Sequence, residues 1–217
     1  MLLPIFPTPT SANRIGKSVP CPPEGIQGAP ALTSPKPYYG WVLVLALDTA
    51  TPYLVLGLPH AERAVHLGRR HAEALWAELE DFLARHQVSK HHLEGIALGR
   101  GPGSYTGLRV GIAAGLGLGR GLEIPVVGVD TLAGVALRYQ GEVSVAHTAR
   151  NGLGYAAHYR VTGSSAQELR APQRIRLAEW RPLGRLSLDE PPSGRALARL
   201  GQQALRREQT GVEGLYL

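Results

Sequence analysis

Gly99-Arg100-Gly101-Pro102-Gly103-Ser104-Tyr105-Thr106-Gly107-Leu108-Arg109 is the stretch whose reading decides the fold. The apolar run Ile96-Ala97-Leu98 precedes it and reads as a buried strand. Val110 to Gly119 follows without an interior proline and reads as a helix, with Ser104 placed to cap it. A strand, a glycine-proline turn and a helix leave backbone N–H groups free to meet an anion. Glycine then recurs at 103, 107, 111, 115 and 119, which puts one glycine row on one helix face. Each interior glycine costs roughly 1 kcal/mol relative to alanine, so close approach by another element should offset the cost. Known nucleotide fingerprints do not fit. Leu108 stands after Gly107 where a Walker A loop needs lysine, and Thr106 stands where G-x-G-x-x-G needs its third glycine. A tight turn with a closely packed helix and an anion-binding loop both remain open.

Working outward, Val42 to Leu47 is a continuous apolar run, as expected of a strand buried on both faces. It ends at Asp48-Thr49-Ala50-Thr51. Tyr53 to Leu58 and Arg63 to Leu67 read as further strands, and tight turns make the three an antiparallel meander. From His71 to His86, Ala72, Leu75, Trp76, Leu79, Phe82 and Leu83 recur at helical spacing. After the glycine helix come a strand at 124–129 and a helix from about Asp130 to Arg138, capped by Asp130 or Thr131. Past Gln140-Gly141 the pattern changes. A hairpin is expected at 143–161, weak apolar pieces over 168–192, and a helix from Gly194 to about Glu208. No long internal repeat is visible, although both halves open with a strand-turn-strand unit.

Composition bounds the rest. The chain has 217 residues, a formal net charge of +6 and one cysteine, Cys21. One cysteine excludes an intrachain disulfide and a cysteine-based zinc site. A basic balance permits an anionic partner such as RNA and proves none. Nine of the 17 prolines fall in residues 1–40. Proline at that density removes backbone donors, so this segment reads as a disordered, dispensable tail or a misassigned start. No apolar run reaches the ~20 residues of a membrane span, and the expected location is cytoplasmic. The resulting division is a tail at 1–40, a first subdomain at 41–140 and a second, shortened one at 141–217.

The order of three antiparallel strands, helix, strand, helix, strand, helix is similar to half of the actin-like, sugar-kinase (ASKHA, RNase H-like) α/β fold. In that fold an aspartate ending the first strand sits beside the nucleotide phosphates, the place Asp48 occupies. Three motifs carry a closer resemblance. Leu47-Asp48-Thr49-Ala50-Thr51, the 99–109 stretch and Ile124-Pro125-Val126-Val127-Gly128-Val129-Asp130-Thr131-Leu132 resemble, in order and spacing, the bacterial TsaB (YeaZ) family. They cover about residues 42–138. Thr148-Ala149-Arg150 and Gly214-Leu215-Tyr216-Leu217 match the family only weakly, and Thr148 stands where it usually has aspartate.

The resemblance implies a part in making threonylcarbamoyladenosine at position 37 of tRNAs that read codons beginning with A. It implies a catalytic TsaD-like partner, a TsaE-like P-loop ATPase, contact with tRNA through the complex, and a homodimer when alone. ATP or ADP at the partner interface is the cofactor it allows, with Asp48, Thr49, Gly101, Gly103 and Ser104 as the nucleotide or anion residues. It also implies a helix-pair interface, expected at Leu75, Trp76, Leu79, Phe82, Gly107, Gly111 and Gly115, closest at Gly111 and Gly115.

No catalytic or metal residue is expected. TsaD proteins hold a metal with two histidines after the glycine helix, and Thr131 and Val135 stand at those positions here. Valine offers no lone pair, and threonine is a poor transition-metal ligand. His71, His86, His91 and His92 lack the spacing of a zinc site and read as surface or helix-end residues. Ser104 lies in G-x-S-x-x-G, which is not a nucleophile elbow. The chain therefore reads as a non-catalytic subunit. The alternatives are an active small-molecule kinase of the same fold and a metallopeptidase-like hydrolase.

Overall fold

The structure is a computed structural model and describes residues 42–68 and 70–217. The expected tail at 1–40 lies outside the described residues. Two sheets, carried in one compact unit, organise what is described.

The first sheet is built from β1 (Val44–Asp48), β2 (Tyr53–Leu58), β3 (Ala61–His66), β4 (Gly95–Gly99) and β5 (Val126–Val129), in the order β3-β2-β1-β4-β5. The meander β1-β2-β3 is antiparallel, and β4 and β5 continue it in parallel. Alternation along β1 separates two packing surfaces. Leu45 and Leu47 face α1 (His71–Arg85) and α2 (Tyr105–Leu122), joining Leu75, Phe82, Ile96 and Leu98 in one core. Val44 and Ala46 face α4 (Gly194–Arg206), joining Ala97, Val127, Leu197 and Leu205 in a second core. Large side chains line the first face. Small ones on the second let α4 approach so closely that a Cβ on Gly57 would overlap the Gly194 backbone.

Caps set the helix starts. Ser104 accepts from Gly107 N–H at 3.3 Å, Asp130 from Leu132 N–H at 2.9 Å, and Ser193 from Ala196 N–H at 3.2 Å. Asp130 is thus the cap of α3 (Thr131–Ala136), and α2 begins directly after Ser104, its expected cap.

The second sheet has the order β8-β7-β6-β9, from β6 (Gly141–Thr148), β7 (Leu153–Thr162), β8 (Ser165–Arg176) and β9 (Arg185–Leu188). The weakly patterned stretch 168–192 therefore holds most of β8 and all of β9. As an edge strand, β8 accommodates Pro172. Helix α3 buries Leu132 and Val135 against Val143, Val145, Ala157 and Tyr159. The two halves exchange helices, since α3 packs on the second sheet and α4 on the first. Strand β6 begins at Gly141, and residues 42–217 cluster as one unit. The C-terminal segment runs beside β5, with Gly211 N–H donating to Val126 O at 2.9 Å and Leu215 N–H to Arg100 O at 2.7 Å. Among the described residues no helix is long and apolar enough to cross a membrane.

Candidate functional site

Strand β1 delivers Asp48 to the join between the halves, where it is fully buried. One carboxyl oxygen accepts the Ala50 N–H at 2.8 Å and the other the Thr131 hydroxyl at 2.6 Å. Thr131 Oγ1 in turn accepts the Gly101 N–H at 3.1 Å. Residue 99 must be glycine, because a Cβ there would overlap the Asp48 carboxyl. Burial pushes the Asp48 pKa up to about 6, against the two hydrogen bonds that pull it down and with a further push from Asp130. Asp130 is the second carboxyl at the join. Its other oxygen accepts the Tyr159 hydroxyl from β7 at 2.6 Å, and burial raises its pKa as well.

The five expected nucleotide or anion residues do come together. The 48–51 turn lies against the 99–107 loop, with Ser104 N–H donating to Ala50 O at 2.7 Å and the Thr49 hydroxyl to Gly107 O at 2.7 Å. A Cβ on Gly103 would overlap Ala50 O. Gly101 has φ +94°, a backbone that glycine adopts without strain. The polar groups of this cluster bond one another: the Gly101, Ser104 and Gly107 N–H groups all have partners within it. Thr131, Asp130 and Tyr159 complete the cluster, and sequence reading assigned none of them to it. The 124–132 motif and the capping pattern at 130–131 mark that stretch without tying it to Asp48.

The expected helix-pair interface needs correction. Cβ atoms built on Gly107, Gly111, Gly115 and Gly119 would overlap Thr49 O, Thr49 Oγ1, Leu98 and Val126 respectively. The whole row therefore faces its own sheet. Leu75, Leu79 and Phe82 are buried in the same core. A helix lying close against a sheet does so most easily through its smallest face, and the glycine row is that face. Trp76, 48% exposed, is the one expected interface residue left on the surface. The outward face of α2 instead carries Ala113, Gly117 and Gly121 at four-residue spacing beside Leu116, 43% exposed. A Cβ on Gly117 or Gly121 would meet nothing within 4 Å.

His71, expected at the surface or a helix end, is at a helix end and not at the surface. It is buried at the start of α1, with Nε2 at 3.0 Å from Thr51 O. Thr148 meets a carboxylate from elsewhere: Asp189, after β9, accepts its N–H at 2.6 Å and its hydroxyl at 2.7 Å. Among the described residues no group of three or more His, Cys, Asp or Glu is placed to hold a metal.

Comparison with known proteins agrees with this architecture. Residues 65–212 match the family model described as TsaD, tRNA N6-adenosine threonylcarbamoyltransferase. An uncharacterized protein of Mycobacterium tuberculosis is 37% identical over 123 residues, covering 54% of this chain and 58% of that protein. The tRNA threonylcarbamoyladenosine biosynthesis protein TsaB of Escherichia coli is 36% identical over 129 residues, covering 54% of each. The matches thus span little more than half the length of these curated relatives. The solved structure of YeaZ from Pseudomonas aeruginosa superposes with a TM-score of 0.73 at 24% identity, covering 82% of this chain and all of that one, and so shares the fold. With a family model matched over residues 65–212 and TsaB proteins among its relatives, the chain belongs to the TsaB (YeaZ) family within the wider TsaD group.

Proposed function

We propose that the chain takes part in threonylcarbamoyladenosine modification of tRNA, at position 37 of tRNAs reading codons that begin with A, as the non-catalytic partner of a TsaD-like subunit. The observation that carries this reading is the use made of two positions on α3. Thr131, where the catalytic paralogue has a metal-binding histidine, gives its hydroxyl proton to Asp48. Val135, at the second such position, is fully buried in the core. Neither side chain has a lone pair directed to a metal. The names of the Bacillus subtilis and Escherichia coli relatives support the pathway. In this reading a TsaE-like ATPase joins the pair, and tRNA is met through the complex.

The outward face of α1 and α2 is the docking surface in this reading. Trp76 and Leu116 supply apolar area, and Gly117 and Gly121 let a partner backbone approach. The same face serves the homodimer when the partner is absent. Co-purification with a TsaD-like subunit, followed by assay of tRNA modification from threonylcarbamoyl-adenylate, tests the proposal. The isolated chain is expected to hold no stoichiometric transition metal and to give no turnover. Trp76→Arg and Gly117→Leu should leave the fold intact and abolish co-purification. Turnover by the isolated chain would overturn the non-catalytic assignment.

A further inference from the structure

A cleft of about 540 Å³ shares no lining residue with the Asp48 cluster and is walled by four parts of the chain. The end of α3 contributes Arg138 and Tyr139, the β7–β8 turn contributes Ser164, and the first turns of α4 contribute Arg195 and Arg199. Glu62 of β3 is the one carboxylate in its lining. Its walls are held in place before any ligand arrives. Gln140 clamps the hairpin turn, donating to Gly163 O at 3.0 Å and accepting Gly163 N–H at 2.9 Å. Glu62 ties β3 to α4, accepting the Ser193 hydroxyl at 2.6 Å and Arg195 N–H at 3.1 Å.

The charges in this cleft do not balance internally. Glu62 is matched with Arg195 at 3.4 Å. Burial pushes the Glu62 carboxyl up, but the Ser193 and Arg195 hydrogen bonds and the guanidiniums of Arg195 and Arg138 outweigh it, so it stays ionised. Arg138 pairs with Glu190 at 3.8 Å, a carboxylate that also takes the Tyr139 hydroxyl, and its charge acts on Glu62 as well. Arg199 makes no ion pair among the described residues. Three guanidiniums, of Arg138, Arg195 and Arg199, therefore line one cavity against the carboxylates of Glu62 and Glu190, an excess of one positive charge. Such forks bind phosphate oxygens in pairs, and the volume is that of a small-molecule site.

We propose that this cleft binds a phosphorylated small molecule, with Arg138 and Arg199 holding an oligophosphate and Arg195 remaining the partner of Glu62. This inference is independent of the proposed role beside a TsaD-like subunit. Isothermal titration of the full chain with sodium pyrophosphate, ATP and a short single-stranded RNA tests it. Pyrophosphate and ATP should bind saturably at one site. The variant Arg138→Gln with Arg199→Gln should lose at least about tenfold in affinity. Arg206→Gln with Arg207→Gln, which removes the same charge at the other end of α4, should leave binding within about twofold. Ser164→Glu places a like charge at the exposed turn and supplies the same readout if the double variant does not fold. Absence of saturable binding, an equal loss in both double variants, unchanged affinity in the cleft variants, or binding of the RNA alone would each overturn the proposal.

Discussion

The two sheets follow one plan and are covered in different ways. Both run three antiparallel strands and then a fourth parallel to the first, β1 with β4 and β6 with β9. In the first sheet the passage from third strand to fourth carries the 15-residue helix α1. In the second it is the segment 177–184, with no helix. That segment crosses the sheet face, where Trp180 lies over His158 with ring centroids 5.2 Å apart and Leu183 N–H donates to the Ser144 hydroxyl at 2.6 Å. Edges differ too. The edge of β4 is covered by β5, and the C-terminal segment runs beside β5, while β9 ends its sheet. Strand order alone does not fix what a sheet buries. The length and apolar content of the crossover decide it.

The largest expected effect breaks the better-covered half. Phe82 is fully buried beneath the first sheet, and Phe82→Ala should cost about 3–5 kcal/mol in urea unfolding. Gly115→Leu should also act on the monomer, by about 1–3 kcal/mol, since its side chain must displace Leu98. A folded Gly115→Leu monomer of unchanged stability that has lost only its partner would restore the interface role first expected of that residue.

Asp48 and His147 should respond oppositely to acid. Asp48 has a folded pKa of about 6 against 3.8. The folded state therefore holds this proton to higher pH. Its contribution is full below 3.8, declines between 3.8 and about 6, and is absent above that. Asp48→Asn should gain on the unaltered chain by up to about 3 kcal/mol more at pH 7.5 than at pH 4. His147 in the second sheet behaves in reverse. Burial depresses its pKa, so its contribution is present above 6.5 and lost as pH falls through the folded value. Hydrogen exchange at pH 5 should accordingly show faster opening of β6 around His147 than at pH 7.5, and His147→Gln should reduce that difference. An unchanged difference in the variant would show that His147 does not govern it.

A third contrast concerns the crossing segment. Trp180 covers His158 from one side and is partly exposed. Trp180→Ala should cost about 1–2 kcal/mol, less than a fully buried aromatic. The loss should appear as faster exchange in β6 and β7 with β1 and β4 unchanged. A loss as large as that of Phe82→Ala would mean that eight residues cover a sheet as well as a helix does.

The fold of the first half was legible because its strands and helices carry strong apolar periodicity. Tyr53–Leu58 and the start of α1 at His71 coincide with the sequence reading. Strand β8 was not legible, since an edge strand with Pro172 and arginines at 170, 174 and 176 shows no apolar alternation. The glycine row was visible, but periodicity identifies a face without identifying its neighbour. Gly117 and Gly121 form an equally regular row on the opposite face. Asp48 and the 99–109 loop were legible as a site from their strand-loop-helix setting. Thr131 and Tyr159 were not, because they reach Asp48 and Asp130 from 83 and 29 residues away, and nothing local in sequence encodes such contacts.

The smallest expected effect is the sharpest form of the comparison. In the first sheet Leu45 pairs with Ile96 and Leu47 with Leu98, and all are buried beneath α1 and α2. At the corresponding register of the second sheet Ser144 pairs with Leu186 and Ala146 with Leu188. Leu186 and Leu188 are 47% and 48% exposed, because no helix covers them. The same truncation should then have very different consequences. Leu98→Ala should cost about 2–5 kcal/mol through lost burial and the cavity left behind. Leu188→Ala should stay within about 0.5 kcal/mol, since the side chain is already half in water and leaves no cavity. Urea unfolding of both variants at several protein concentrations checks this. A loss above about 2 kcal/mol for Leu188→Ala that grows with protein concentration would mean that a second molecule supplies the cover the crossover lacks.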